Sequence, residues 1–297
     1  MTSRRNFVTR TGAMLLGLAA SGRAPRTFGK GAPAPFRGPY GLELYSLRSQ
    51  IKRGDASTIK AALSYAKQVG YTEIEAPGLD GLTAVDFRKQ LDDVGLAATS
   101  MMTSYDQCQS RLEDVIRNAQ TLGAGHIING WIPHQGPFTL SNCQQAIANY
   151  NRWGEKVHAA GLGFGHHTHG YEFQPYQGRP LFDRLMEQTH PSLVEFEMDI
   201  FWVVDAGASP VDYLGRYPDR FKLLHLKDMR KEPPVKNYTG SAPVSWDVPL
   251  GTGRINLTGI LAEALNIGVK RFYVEDESDD ARHNMIKSLH YLKTVRL

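Results

Sequence analysis

The sequence predicts an α/β protein with a single (β/α)8 TIM barrel, preceded by an export signal. The first reason is alternation, because short strand-like apolar runs and longer helix-compatible stretches follow one another eight times after residue 40. The second is the placement of glycine: a glycine that can end a helix comes just before a predicted strand at positions 70, 95, 123, 161 and 268. The third is that the last four apolar runs each end in a histidine or an acid, where parallel barrel strands converge on one mouth.

The eight predicted units follow one another without a gap large enough for a second domain. The predicted strands cover residues 41–45, 71–76, 96–101, 126–129, 163–165, 194–198, 221–224 and 271–274. The predicted helices cover residues 57–69, 84–94, 110–122, 142–160, 181–188, 210–217, 257–265 and 280–294. An open, doubly wound sheet is the alternative, but no phosphate-binding glycine fingerprint follows the first strand.

Composition narrows the class of protein. Hydrophobic residues make up 41% of the chain, and no apolar run reaches the roughly 18 residues needed to span a bilayer. The formal charge of +4 comes from the first 24 residues, which hold four of the 34 basic residues and no acid, so 30 basic and 30 acidic residues remain. We therefore expect no nucleic-acid partner. Cys108 and Cys143 are expected to be free thiols, and a disulfide between them in an oxidising compartment is the alternative.

The N-terminus has the pattern of a targeting segment. Arg4 and Arg5 precede a large apolar residue, and residues 12–20 form a short apolar core of mostly small side chains. Small residues typical of a signal-peptide cleavage region come after this core. We interpret residues 1–34 as a twin-arginine-type signal peptide and linker, and residues 38–297 as the barrel domain. This predicts a periplasmic or otherwise exported protein. An ordinary secretory leader or a disordered basic tail is the alternative.

Four residues at the ends of the last four strands predict a metal site. His167, Asp199, His225 and Glu275 are separated by 32, 26 and 50 residues, and the first two spacings each equal one strand–helix unit. The third spacing contains an insertion rich in Pro, Ser and Gly at residues 231–249. The four ligands would therefore come from neighbouring strands. Mixed nitrogen and oxygen donors suit one Mn, Zn, Co or Fe ion and suit Ca²⁺ poorly.

Residues that share a strand face with these ligands are candidates for catalysis. Alternation places His169 on the face of His167, where it would contact a ligand residue or the substrate, and His166 on the opposite face. Lys227 shares the face of His225 and could stabilise a developing enolate. The alternative for Lys227 is a surface lysine paired with Asp228.

Further candidates lie on the earlier strands and loops. Glu75 ends the second strand and is a candidate catalytic carboxylate, while Glu43 lies within the first strand and is a candidate substrate contact. Trp131 and His134 follow the fourth strand, and Trp202 follows the sixth, so all three are candidates to line a substrate pocket. Ordinary loop packing is the alternative for these aromatic residues.

Several motifs resemble the sugar phosphate isomerase/epimerase family, within the xylose isomerase-like TIM-barrel superfamily. The resemblance covers about residues 40–295. It rests on Tyr45-Ser46-Leu47-Arg48, His167-Thr168-His169 with Glu172-Phe173, Glu197-Met198-Asp199, Leu224-His225-Leu226-Lys227-Asp228-Met229, Pro249-Leu250-Gly251-Thr252-Gly253 and Val274-Glu275.

The resemblance implies a metal site built from a Glu, an Asp, a His and a Glu. Asp199, His225 and Glu275 match that pattern, whereas His167 stands where the family commonly has the first Glu. Since both glutamates move protons in the sugar epimerases, this departure counts against a symmetrical proton exchange. Residues 101–104 also lack a histidine that the family often has after the third strand, and the three-metal endonuclease branch needs more histidines.

The function predicted from the sequence is a metal-dependent sugar isomerase/epimerase. Glu275, or Glu75, would remove a proton next to a sugar carbonyl, and Lys227 or His169 would stabilise or reprotonate the enediolate. Expulsion of a neighbouring oxygen would instead make the protein a lyase, acting on a keto-glycoside. A non-catalytic periplasmic sugar-binding barrel with Trp131 and Trp202 as walls is the alternative from another class.

Overall fold

The computed structural model describes residues 34–79 and 81–297, and in them eight parallel strands form a closed barrel. Each strand pairs with its neighbours in chain order, and the last strand pairs with the first. The fold therefore confirms the predicted (β/α)8 barrel. The strands are β1 (Gly41–Glu43), β2 (Glu73–Ala76), β3 (Ala97–Thr103), β4 (His126–Asn129), β5 (Gly163–His167), β6 (Glu195–Asp199), β7 (Phe221–Leu226) and β8 (Arg271–Val274).

The helices pack around this barrel with their apolar faces against the strands. Glycines at the five predicted boundaries all have positive φ, as helix-ending glycines do. The helices are α1 (Ala56–Val69), α2 (Ala84–Val94), α3 (Tyr105–Leu122), α4 (Leu140–Ala159), α5 (Leu181–Gln188), α6 (Ile200–Asp205), α7 (Pro210–Arg216), α8 (Leu257–Asn266) and α9 (Ala281–Thr294).

Several element boundaries differ from the prediction by a few residues, and the short helix Ile200–Asp205 was not predicted. Two of these differences have clear local reasons. The first strand ends at Glu43 rather than at residue 45, because the Glu43 carboxylate accepts the backbone N–H of Tyr45 and starts a 3-10 helix. Helix α3 begins five residues earlier than predicted, because Ser104 and Gln107 form a capping box at its N-terminus. Neither difference moves a predicted site residue to another strand.

The barrel interior has an apolar layer beneath a polar one. Ile128, Leu223 and Tyr273 form a small cluster inside the barrel, separate from the large core between strands and helices. His225 lies two residues after Leu223, and Glu275 lies two residues after Tyr273. Because strand side chains alternate, His225 and Glu275 point to the same side as these apolar residues. The apolar layer therefore fills the barrel below the carboxyl ends, where polar side chains collect.

The predicted signal segment, residues 1–34, lies outside the described residues except for residue 34, so the export signal stays a prediction. Within the described part of the chain, no helix is both long and apolar enough to cross a membrane. Cys108 and Cys143 are both buried and are not bonded to each other.

Candidate metal centre and active site

Three of the four predicted metal ligands meet at the carboxyl end of the barrel. His167, Asp199 and His225 each offer one ligand atom, and these three atoms all lie within 4.8 Å of one another. Glu275 lies beside this group, with its Oε2 3.2 Å from Nδ1 of His225. All four side chains are buried. The structure thus gathers the four residues in one place, while their binding of a metal ion stays a prediction.

The ligand atoms of His167 and Asp199 are suited to a cation. Burial lowers the pKa of His167 well below its usual value, so its imidazole is neutral and carries a lone pair. Burial raises the pKa of Asp199 to about 7, although Lys227 opposes this shift. Oδ1 of Asp199 accepts the backbone N–H of Phe201 at 2.8 Å, but its buried Oδ2 has no hydrogen-bond partner among residues 34–79 and 81–297. A divalent ion fits this donor set, because it would satisfy that oxygen.

His225 is surrounded by carboxylates. Burial disfavours its charged form, but Glu197, Glu275 and Glu75 outweigh burial and raise the pKa of His225 well above its usual value. Nδ1 of the ring faces Glu275, and Nε2 lies 2.6 Å from Oε2 of Glu75. A metal ion and a proton would therefore compete for Nδ1.

Lys227 is buried among three carboxylates at the rim of this group. Its Nζ lies 3.5 Å from Oδ2 of Asp247 and 3.7 Å from Oε2 of Glu275, and it also contacts Glu277. Burial opposes the ammonium charge, but these acids outweigh it and raise the pKa of Lys227. In return, Lys227 and His225 hold the pKa of Glu275 well below its usual value against the effect of burial.

The alternative interpretation of Lys227 as a surface residue paired with Asp228 is wrong. Lys227 is buried, and Asp228 points the other way. The Asp228 carboxylate accepts the backbone N–H groups of Gly251, Gly253 and Ile255 at 2.9–3.1 Å, and so holds the loop that precedes α8.

A cavity of about 340 Å³ opens above the polar layer and exposes the site. Trp131 and Trp202 form part of its wall, as the sequence predicted for them, and Glu43 and His169 also line it. Burial lowers the pKa of His169 to about 4, and its buried Nδ1 has no hydrogen-bond partner in the described part of the chain. His169 therefore presents a neutral ring to the cavity.

Two predicted site residues lie away from the cavity wall. His134 stacks behind Trp131, with 5.1 Å between ring centroids, and is not part of the lining. Glu75 is fully buried beneath the site and contacts His225 and Ser100 instead of the cavity. The predictions of His134 as a pocket residue and of Glu75 as a base are therefore corrected, because neither side chain lines the cavity.

A loop from the β7–β8 connection covers one side of the cavity. Residues 240–244 line the cavity, and Asn237 holds them in place by donating to Oδ2 of Asp205 and to the carbonyl of Ser241, both at 2.8 Å. Gly240 lies against the rings of Trp131 and Tyr171. This loop corresponds to the insertion that the sequence placed at residues 231–249.

The sequence analysis missed three acidic residues of the site. Glu197 had a signal, because it lies two residues before Asp199 and so shares its strand face. Asp247 and Glu277 had none, since each lies in a connection without periodicity. Asp247 forms part of a two-stranded antiparallel pair with residues 228–229, which brings it to Lys227.

A closed parallel barrel with polar residues gathered at the carboxyl ends of its strands defines a TIM-barrel protein of the kind whose sites lie at that mouth. The chain belongs to the xylose isomerase-like TIM barrel family, whose model matches residues 63–295. Membership confirms the resemblance inferred from the motifs.

Two curated relatives are inosose dehydratases. The protein from Salmonella typhimurium is 26% identical over 263 residues, which cover 79% of this chain and 86% of the relative. The protein from Geobacillus kaustophilus is 25% identical over 201 residues, which cover 60% of this chain and 65% of the relative. A solved structure of a sugar phosphate isomerase/epimerase from Parabacteroides distasonis is 25% identical, with a TM-score of 0.70, covering 87% of this chain and 99% of that one.

Proposed function

We propose that this chain is a metal-dependent enzyme that removes a proton next to a carbonyl of a keto-sugar or keto-cyclitol. The observation that carries this proposal is the group of three ligand atoms from His167, Asp199 and His225, of which the two histidines line the cavity. Polarisation of a substrate carbonyl, which acidifies the neighbouring C–H bond, is the chemistry that a divalent ion supplies when bound. The size of the cavity suits a single six-membered ring.

We assign proton removal, stabilisation of the developing negative charge and substrate binding to residues of the chain itself. Glu275 is ionised and lines the cavity, so we assign it as the group that takes the proton. Lys227, protonated and 3.7 Å from Glu275, donates to an oxygen that gains negative charge. His169 is neutral, so its ring nitrogens bind a substrate hydroxyl, and Trp131 and Trp202 pack against the sugar ring.

Elimination is the outcome that we favour for the enolate. The curated relatives with the broader coverage are dehydratases, and His167 replaces the second glutamate that a symmetrical proton exchange would need. In an elimination the electron pair of the broken C–H bond becomes the new C=C bond, the β-carbon loses its oxygen, and Lys227 protonates that oxygen. Isomerisation or epimerisation, the activity predicted from the sequence, is the second candidate, supported by the Parabacteroides distasonis structure.

The test uses purified protein, its metal content and two substrates in D₂O. We would incubate the protein with 2-keto-myo-inositol and with a methyl 3-keto-glucoside and follow both by proton NMR. Deuterium next to the carbonyl with a new vinyl signal supports elimination, and deuterium with a new sugar isomer supports the second candidate. Binding without either change, in protein that holds no metal, would instead indicate a sugar-binding barrel.

Asp199→Asn is the variant that links this activity to the metal centre. We expect it to lose bound metal and at least about 100-fold in rate, because it removes a charged ligand while keeping the shape of the side chain. The matched control is Asp114→Asn, whose side chain is 52% exposed on α3 and distant from the cavity lining. Equal activity of the two variants would refute the assignment of the metal centre.

A further inference from the structure

We propose that Glu75 and Glu197 are positioning residues that fix which nitrogen of His225 and of His167 is free to bind a metal ion. This inference rests on the proposed function and adds to it, because neither glutamate is one of the four predicted ligands, although an oxygen of Glu75 also lies within 4.8 Å of ligand atoms of Glu43 and His225. Both are fully buried beneath the site, and each contacts one ring nitrogen of a candidate ligand.

In His167 and in His225, one ring nitrogen contacts a buried glutamate and the other faces a candidate ligand. Nδ1 of His167 lies 2.9 Å from Oε2 of Glu197, which leaves Nε2 facing Asp199, 3.9 Å from its Oδ2. Nε2 of His225 lies 2.6 Å from Oε2 of Glu75, which leaves Nδ1 facing Glu275. Because each glutamate occupies one ring nitrogen, the opposite nitrogen, Nε2 of His167 and Nδ1 of His225, is the one placed to bind a metal ion.

The fold holds both carboxylates at these positions. Glu197 is paired in register with His167 across the β5–β6 ladder, and its Oε2 also lies 3.3 Å from Nε2 of His225, so it contacts both rings. Glu75 reaches His225 from β2 across the barrel, and the hydroxyl of Ser100 donates to its other oxygen. A carboxylate fully removed from water is costly unless it is hydrogen-bonded, so these contacts account for the orientation of both side chains.

A second buried histidine–glutamate pair shows what a structural pair looks like in this protein. His166 points to the other face of β5, and its Nε2 lies 2.8 Å from Oε1 of Glu172. Its Nδ1 lies 2.9 Å from the hydroxyl of Tyr150, so both ring nitrogens of His166 are used within the core. His167 differs, because only one of its nitrogens is hydrogen-bonded and the other faces an unsatisfied Asp199 oxygen. Both nitrogens of His225 are engaged, but Nδ1 faces Glu275, which is itself a candidate ligand.

The experiment measures metal affinity without any substrate. The purified chain is stripped of metal and titrated with Co²⁺, with the visible absorption of the bound ion and competition from a chromophoric chelator as readouts. We expect Glu75→Gln and Glu197→Gln to weaken Co²⁺ binding by about 10-fold to 100-fold, the usual effect of removing such a partner, and to alter the absorption bands. Ser100→Ala, a milder change that frees one oxygen of Glu75, should weaken binding less.

The control is Glu172→Gln, which alters an equally buried glutamate that hydrogen-bonds a histidine on the same strand. It should lower stability yet leave Co²⁺ affinity within about 3-fold of the unmodified chain, since it touches no ligand. Wild-type affinity in Glu75→Gln and Glu197→Gln, or an equal loss in Glu172→Gln, would overturn the proposal, and Ser100→Ala keeps the test valid if a glutamate variant fails to fold. Failure of the unmodified chain to bind Co²⁺ would refute the proposed function itself.

Discussion

At the scale of single residues, the site depends on how charges are balanced away from water. Among the described residues that line the cavity, Lys227 is the only lysine, and it faces Asp247, Glu275 and Glu277. Its position keeps Glu275 ionised in a buried setting. The same cation therefore contributes to stability and prepares the residue that we assign as the base, and these two effects can be separated by measurement.

We predict that Lys227→Met lowers the free energy of unfolding of the metal-free protein by about 3 kcal/mol, because it leaves buried carboxylates without a cation. Urea unfolding followed by circular dichroism measures the change. The matched control is Lys222→Met on the same strand, where the side chain is exposed and the expected change is within about 0.5 kcal/mol. Similar losses in the two variants would show that Lys227 does not balance the site.

At the scale of elements, the strands position the candidate ligands and the long β7–β8 connection covers one side of the cavity. The strand ends were predictable, because alternation along a strand fixes which side chains share a face. The connection was not, because residues 231–249 have no periodic pattern from which their path could be inferred. Asp247 and the cavity wall at residues 240–244 both come from this connection, which is why the sequence analysis missed them.

Gly240 tests whether that connection shapes the cavity. Its φ is +68°, and a Cβ there would lie 2.8 Å from Cδ1 of Tyr171 and 2.9 Å from the Trp131 ring. We predict that Gly240→Ala displaces the loop, raises its rate of cleavage by proteases, changes the fluorescence of Trp131 and raises KM for the substrate.

The control for this prediction is Gly178→Ala, which has a similar φ of +79° but no atom within 4 Å of the added Cβ. Both variants carry the strain of a left-handed backbone, about 1–2 kcal/mol, so only the loop contact differs between them. Equal protease sensitivity and equal KM in the two variants would show that the loop does not depend on its contact with Trp131 and Tyr171.

At the scale of the whole molecule, the barrel was predictable because each unit repeats the same local rules. The hydrophobic period recurs in every unit and a helix-ending glycine in five of them, so errors of a few residues at boundaries such as 45 and 105 did not affect the topology. Depth within the barrel was not predictable, because it depends on the stagger between strands. Glu75 and Glu43 both lie near strand ends, yet only Glu43 lines the cavity.

The candidate metal centre also bears on the export that the sequence predicts. We propose that the chain is exported in its folded state through the twin-arginine signal inferred from Arg4 and Arg5. Two histidines and two carboxylates bind Cu²⁺ and Zn²⁺ more tightly than Mn²⁺, so a site filled outside the cytoplasm would take whichever of these ions is available. Folding before export lets the cytoplasm determine which metal is bound.

The test of export changes the arginine pair and leaves the barrel intact. We predict that replacing both Arg4 and Arg5 with Lys retains the unprocessed chain in the cytoplasm, as cell fractionation and immunoblotting would show. The control is Arg10→Lys, which alters a basic residue of the same segment outside the pair and should be exported normally. Periplasmic protein from the double variant would contradict the twin-arginine assignment, and the bound metal would then have to be acquired after translocation.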